Sequence, residues 1–433
     1  MSLVEGQAVE LAIEKPAAGG RMIARHQGQV VLVRGAIPGE RVRAWIERAE
    51  KRLAYAVTRD VLEPSPDRRD AHGDPLCGGA LYSHIRYERQ LALKSDVIRD
   101  AFARLGRHPI EGSVAVAASP EAGYRMRARF HVHAGRAGFY REGTHQLCDA
   151  GPTRQLGEGA VAAVTSLAAA LESDSPGGVT SISVTESIDA GQRAAHVELT
   201  AGARLDPASL ERHVTGTGLR GISARGATAD TLTVGVPLVT DPLSALTGHD
   251  GSGAVLQRRA ESFFQGNRYL LRGLVDSVIA AVPDDGEVVD LYAGVGLFSI
   301  ALASAGRSEV TAVEGDRSSG ADLRENARPF APRLDVRIQR VEDYLAARRV
   351  KRAGTMVIDP PRTGLSKEAA DGLLRHGGSR VVYVSCDPPT LARDARKLLD
   401  AGYRLDSVRA FDLFPNTPHV ETLAVFTRTA AIP

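Results

Sequence analysis

Three side chains in the last quarter of the chain could do covalent chemistry together. Cys386 follows the apolar run RVVYVS and precedes Asp387-Pro388-Pro389. Asp359 follows TMVI and opens an Asp-Pro-Pro-Arg turn, and Glu421 follows Pro418-His419-Val420 and opens the apolar run ETLAVF. A cysteine becomes a strong nucleophile once it loses its proton. A nearby carboxylate can take a proton from an intermediate, and a second polar group can hold the edge of a flat ring. Singly, each has a plainer reading. A cysteine is more often a small buried thiol, an Asp-Pro turn can merely cap a loop, and a Glu can be a surface acid.

The elements around these residues explain why all three should meet. From about residue 253 the chain alternates apolar runs with helical segments. EVVDLYAG, EVTAVEGD, TMVIDPPR and RVVYVSCDPP each end in Gly, Asp or Pro, and LFSIALASAG, GADLRENARPF, KEAADGLLRHG and PTLARDARKLLDAG separate or follow them. That is the rhythm of a doubly wound parallel sheet. VRAFDLFP and TLAVFTRT read as a closing hairpin, so the last strand is expected to be antiparallel. Ligands bind at the carboxyl ends of the strands in such sheets. Residues just after each apolar run should therefore line one rim.

The first strand leads into Asp290-Leu-Tyr-Ala-Gly294-Val-Gly296, whose glycines allow a tight turn and close approach of a ligand. Glu314 ends the next run, 24 residues after Asp290, where a carboxylate can hold two ribose hydroxyls. The third position of a dinucleotide fingerprint is Ser299, and no pyrophosphate cradle is evident. The pattern favours S-adenosylmethionine over NAD. A structural turn beside a solvated Glu is the bland alternative.

A chain of 433 residues exceeds one ordinary core, so two or three domains are expected. Residues 1–62 hold short alternating runs broken at Gly19-Gly20 and Pro38-Gly39, as in a small β-barrel. Residues 63–83 read as a linker, followed by a helix from about Arg86 to Leu105. In Tyr124–His133, strict alternation puts Arg125, Arg127, Arg129, His131 and His133 on one strand face. A row of cations suits a phosphate backbone, or is simply a solvated face. Residues 150–250 carry no readable motif and suggest a mixed α+β support. The division is thus 1–62, 63–252 and 253–433.

The net charge of +2 is uninformative taken whole, although bases outnumber acids from Arg86 to Arg141. No apolar run is long enough to span a membrane, and the amino-terminal segment lacks an apolar secretory core. Three cysteines make a disulfide framework unexpected, and a cytoplasmic setting fits best. Nothing requires more than a monomer.

Cysteine, base and polar partner are what methylation of uracil C5 demands. C5 is a poor nucleophile until a thiolate adds at C6, and a base must then remove the C5 proton. Six segments, in order over about 170 residues, make the resemblance specific: Phe263-Phe-Gln265-Gly-Asn267, DLYAGVGLFS, VEGD, VIDPPRTGL, VVYVSCDPPTLARD and FDLFPNTPHVETLAVF. Together they resemble the RNA 5-methyluridine methyltransferase family. The amino-terminal barrel resembles the TRAM RNA-binding domain found in many members, and GYRMRARFHV resembles a family strand in which Met126 is usually Asn.

The resemblance implies a class I S-adenosylmethionine-dependent methyltransferase fold, Rossmann-like with an antiparallel last strand. A TRAM/OB-like barrel and an α+β central domain precede it. It implies Cys386 as nucleophile, Glu421 as proton acceptor, and Gln265, Tyr292, Glu314 and Asp359 at the cofactor, with Asp359 also facing the uracil. Asp343 is a weaker candidate for the adenine end. Leu297 stands where some members have Asn, so that contact is not carried over.

Some members bind an iron–sulfur cluster through four cysteines. Here that stretch reads Ala71-HGDPL-Cys77-Gly-Gly-Ala80, with Cys148 further on. Two thiolates cannot satisfy a four-iron cluster, so no cluster is expected, and Cys77 and Cys148 are expected as neighbouring reduced thiols. An adenine-N6 enzyme would usually carry an aromatic residue where Arg362 stands and needs no Cys386. An NAD oxidoreductase is disfavoured by Ser299 and by the Cys–Glu pair. A silent RNA-binding protein is disfavoured because Cys386, Glu421 and Asp359 are all present. The barrel leans toward ribosomal RNA as partner, with tRNA as the alternative.

Overall fold

The computed structural model describes residues 3–226, 231–248, 253–347 and 354–429. Alternation dictates the first unit. Strands β1 (Ala8–Pro16), β2 (Met22–His26), β3 (Gln29–Arg34), β4 (Arg41–Ala49) and β5 (Leu53–Glu63) close into a barrel ordered β1-β2-β3-β5-β4. Val9, Leu11, Ile13, Val31, Val33, Ala44, Ile46 and Ala54 fill its interior. Closure leaves no strand edge unpaired.

After the linker come helix α1 (Tyr87–Arg104) and the two-residue strand β6 (Val116–Ala117). A second sheet is built from β7 (Arg127–His133), β8 (Arg136–Tyr140), β9 (Leu147–Cys148), β10 (Val179–Glu186), β11 (Arg193–Leu199), β12 (Gly221–Arg225) and β13 (Leu232–Gly235). Its order is β13-β12-β11-β10-β7-β8-β9. Helices α2 (Glu158–Asp174) and α3 (Pro207–Thr217) cover it, and α2 buries Ala160, Val164, Leu167 and Leu171. A ribbon of β14 (Leu238–Pro242) and β15 (Val255–Arg259), with the short helix α4 (Leu243–Leu246) between them, leads onward.

The third unit contains, in chain order, α5 (Leu271–Ala281), β16 (Val288–Leu291), α6 (Leu297–Ser304), β17 (Val310–Glu314), α7 (Arg317–Ala327), β18 (Leu334–Ile338) and α8 (Val341–Ala347). It continues with β19 (Thr355–Ile358), α9 (Lys367–His376), β20 (Arg380–Ser385), α10 (Pro388–Asp400), β21 (Tyr403–Phe411) and β22 (Glu421–Arg428). The sheet order is β18-β17-β16-β19-β20-β22-β21-β6. The strands from β16 to β20 are parallel, and β22 runs antiparallel between β20 and β21, as the closing hairpin required. Strands buried on both faces read as near-continuous apolar runs, which is why RVVYVS and TMVI carried so clear a signal. The order reverses between β16 and β19, and a ligand crevice belongs at their carboxyl ends.

Two findings go beyond the sequence. Strand β6 pairs with β21, and α1 packs on α10, so residues 87–117 lean on the third unit's sheet. Residues 249–252, beside the expected boundary at 253, lie outside the described residues. Cys77 and Cys148, expected as reduced thiols, are instead joined as a disulfide with Cα atoms 5.7 Å apart. The bridge between Cys77 and Arg141 and the β8–β9 pairing bring their backbones within disulfide range. No described helix is long and apolar enough to cross a membrane.

Candidate active site

Register brings the nucleophile and the base together. Ser385 of β20 pairs with Thr422 of β22, so Cys386 and Glu421 occupy the next opposed positions at the rim. Asp387 caps α10, its Oδ1 accepting from Thr390 N at 2.9 Å, and Pro388 takes the first helical position. Cys386 is therefore held between the end of a central strand and a capped helix start. Asp359 follows β19, the neighbour of β20. Its turn is latched to α10: Thr390 Oγ1 donates to the Arg362 carbonyl (3.1 Å) and Arg393 Nη2 to the Thr363 carbonyl (3.0 Å). Gly364 closes that turn at φ +75°, and a Cβ there would collide with Thr390 and Arg393.

Burial dominates the electrostatics. Glu421 is 2% exposed, and its Oε1 has no hydrogen-bond partner among the described residues. Burial, then the neighbouring Asp359, pushes its carboxyl well above the usual range, while Arg362 opposes. Asp359 accepts from Gln265 Nε2 at 3.0 Å, and burial raises its pKa to about 7. The Cys386 thiol is pushed up to about 11, by burial first and by Glu421 second; Arg362, hydrogen-bonded to the thiol, and the α10 start pull the other way. Burial wins, so Cys386 rests as a thiol. Nearby His419 is held down at about 4, chiefly by burial.

Arg362 is the residue that sequence reasoning missed. It stood out only as the non-aromatic residue after Pro-Pro. Its contact with Cys386 depends on how the Asp359–Gly364 turn folds back over α10, which no local pattern announces.

The cofactor candidates gather at the β16–β17 end of the same rim. Glu314 ends β17 with both oxygens pinned, Oε2 by Gly294 N (2.7 Å) and Oε1 by Asp316 N (2.6 Å). Tyr292 takes a left-handed backbone at φ +63°, rare for a residue with a side chain. Gly294 has open space where a Cβ would stand, with only the Phe263 carbonyl at 4.0 Å. Gly296 differs: its missing Cβ faces Ile300 and Leu323, so helix packing and φ +98° explain it without a ligand. Asp343 is exposed in the first turn of α8. Asp290 is fully buried, accepts from Ser299 N at 2.9 Å, and is raised to about 7 by burial; its Oδ1 is unpartnered among the described residues. An open glycine turn, a pinned carboxylate and a buried orphan oxygen fit an adenosyl cofactor.

Long-range contacts hold the loop before Glu421. The Lys94 ammonium of α1, fully buried, pairs with Asp412 at 2.5 Å. Asn416 Oδ1 accepts from Arg69 Nη2 (2.8 Å) and Gln90 Nε2 (2.9 Å), its N donates to Gln90 Oε1 (2.9 Å), and its carbonyl accepts from Tyr82 N (2.8 Å). The barrel turn at Gly20 abuts Pro418: a Cβ there would lie 2.8 Å from Pro418 Cγ.

The arginine row divides on inspection. Arg125 donates to the Arg127 carbonyl (2.9 Å) and to Gln155 Oε1 (2.6 Å) and lies near the Phe139 and Phe414 rings, so its guanidinium is spent internally. Arg127 lies over Phe263, whose ring is 59% exposed beside the rim. Arg129 is exposed and donates to Ser181 Oγ at 3.0 Å.

Comparison with known proteins agrees with this geometry. Residues 333–429 match the tRNA (uracil-5-)-methyltransferase family model, and residues 3–57 match the TRAM domain. The chain is 33% identical to an uncharacterised RNA methyltransferase of Streptomyces coelicolor, covering 98% of this chain and 93% of that one. It is 33% identical to the 23S rRNA (uracil(1939)-C(5))-methyltransferase RlmD of Alkalilimnicola ehrlichii, covering 97% of each. Its fold superposes on the tRNA (uracil-54, C5)-methyltransferase of Pyrococcus abyssi, solved with S-adenosyl-L-homocysteine, at TM-score 0.75 and 23% identity over 96% of this chain and 99% of that one. The chain belongs to the RNA (uracil-C5)-methyltransferase family and carries a TRAM domain at its amino end.

Proposed function

We propose that this protein methylates C5 of a uridine in RNA, with 23S ribosomal RNA as the substrate class and S-adenosylmethionine as methyl donor. The observation that carries this reading is the opposed, buried pair of Cys386 and Glu421, with one Glu421 oxygen left unpartnered. Cys386 Sγ forms a bond to uracil C6, and the ring electron pair shifts toward C5 and O4. Arg362, already bonded to the sulfur, favours the thiolate. When bound, the cofactor supplies an electrophilic methyl group. Glu421 then takes the C5 proton, the electron pair re-forms the ring double bond, and the C6–S bond breaks. Gln265 and Glu314 are assigned to the cofactor, and Asp359 to both the cofactor side and the uracil edge. Arg127, Arg129 and Phe263 are assigned to RNA flanking the target.

The ribosomal substrate is supported by full-length similarity to RlmD relatives. A tRNA substrate is the second reading, favoured by the fold match to the archaeal tRNA enzyme. Unmodified 23S rRNA and tRNA transcripts, offered in parallel with labelled methyl donor, separate the two. Label confined to 23S rRNA supports the first; label confined to tRNA overturns it.

A further inference from the structure

The only tryptophan of the chain lies far from the rim, on the outside of the barrel. Trp45 sits mid-strand in β4, 45% exposed, while its neighbours Ala44 and Ile46 fill the core. Ala8 and Val57 flank it in register, and neither covers the ring. The guanidinium of Arg59 stands 5.3 Å from the indole centroid. Arg59 and Val57 also line a groove of about 750 Å³ that continues past Arg68, Arg69 and Arg86. Arg68 is paired with Glu40 and Arg69 with Glu121. Among the described residues no carboxylate lies within ion-pair distance of Arg59 or Arg86. At its far end the groove meets the catalytic loop, because Arg69 also donates to Asn416.

We infer that Trp45 and Arg59 form a stacking subsite for an unpaired RNA base, joined by this groove to the catalytic rim. An exposed indole beside a guanidinium presents a flat apolar face with a cation at its edge, the surface that stacks a base and meets its phosphate. Two unpaired arginines along the groove supply charge complementary to a strand's backbone. The strand must be single there, since a base held in a duplex cannot present its face to the ring. The inference rests on RNA being the substrate and adds where that RNA is gripped.

The lone tryptophan makes the test direct. The full chain is titrated with oligoadenylate about 12 nucleotides long, within the footprint of one small barrel, and with an RNA duplex of equal length. Oligoadenylate should quench the indole fluorescence, and the duplex should quench it far less. Trp45→Ala should weaken oligoadenylate binding about tenfold, as loss of one base stack does, while Trp45→Phe retains most of it and the melting temperature stays put. Arg59→Ala with Arg86→Ala should lower the slope of log affinity against log salt by about two. Binding without quenching, equal quenching by duplex, no binding at all, or undiminished affinity in Trp45→Ala would overturn the subsite. Methylation is read separately. A protein that methylates RNA but fails this titration loses only the subsite; one that is quenched but methylates no RNA loses only the proposed reaction.

Discussion

At the scale of single residues, the active site is built from groups whose charged forms burial resists. Cys386 is pushed up to about 11, so raising the pH should keep accelerating its alkylation by iodoacetamide beyond pH 10, where an ordinary thiol has levelled off. The signs of two substitutions follow from the named neighbours. Glu421→Gln removes a negative charge and should move the profile to lower pH. Arg362→Ala removes a cation and should move it higher. A profile unmoved by either would mean the three groups are not in contact. Glu421→Gln should also leave elimination without its base, so a covalent protein–RNA adduct that persists on a denaturing gel should build up, with turnover down by about two orders of magnitude or more. Cys386, Glu421 and Asp359 were legible in the sequence because each sits at the end of an apolar run. Arg362 was not, because its contact with the thiol is made by the fold of a turn.

Between elements, the base is positioned by parts of the chain hundreds of residues away. Lys94 and Asp412 are 318 positions apart and both fully buried. Lys94→Met should strand the Asp412 carboxylate and cost about 3–5 kcal/mol, read from the urea midpoint. Adding Asp412→Leu should restore most of that loss, because replacing both charges removes the stranded group. A single variant as stable as the parent would contradict the pairing. None of this was readable locally. The helix at 87–104 announced itself by its periodicity, but no periodicity says that its Lys94 faces a loop before the last strand. Strand β6, at two residues, is too short to leave a pattern. The parallel strands were legible for the opposite reason, since burial on both faces makes them continuous apolar runs.

At the scale of the molecule, a barrel, a seven-stranded sheet and an eight-stranded sheet converge on one loop. Gly20 of the barrel touches Pro418, and Arg69 of the linker holds Asn416, so the amino-terminal units brace the segment that delivers Glu421. The same linker carries Cys77, joined to Cys148 where some relatives by resemblance hold a cluster. With alanine at positions 71 and 80, two ligands are missing. Protein purified without air should therefore contain well under about one iron per chain and show no band near ~400 nm; several irons per chain would overturn that reading.

The covalent role of Cys386 is the centre of the account. The direct measurement is transfer of label from S-adenosylmethionine to unmodified RNA by the wild-type protein and by Cys386→Ala, with the RNA digested to nucleosides and separated. The account predicts label in 5-methyluridine with the wild type and none with the variant. Label in another nucleoside, or undiminished label with Cys386→Ala, would contradict it.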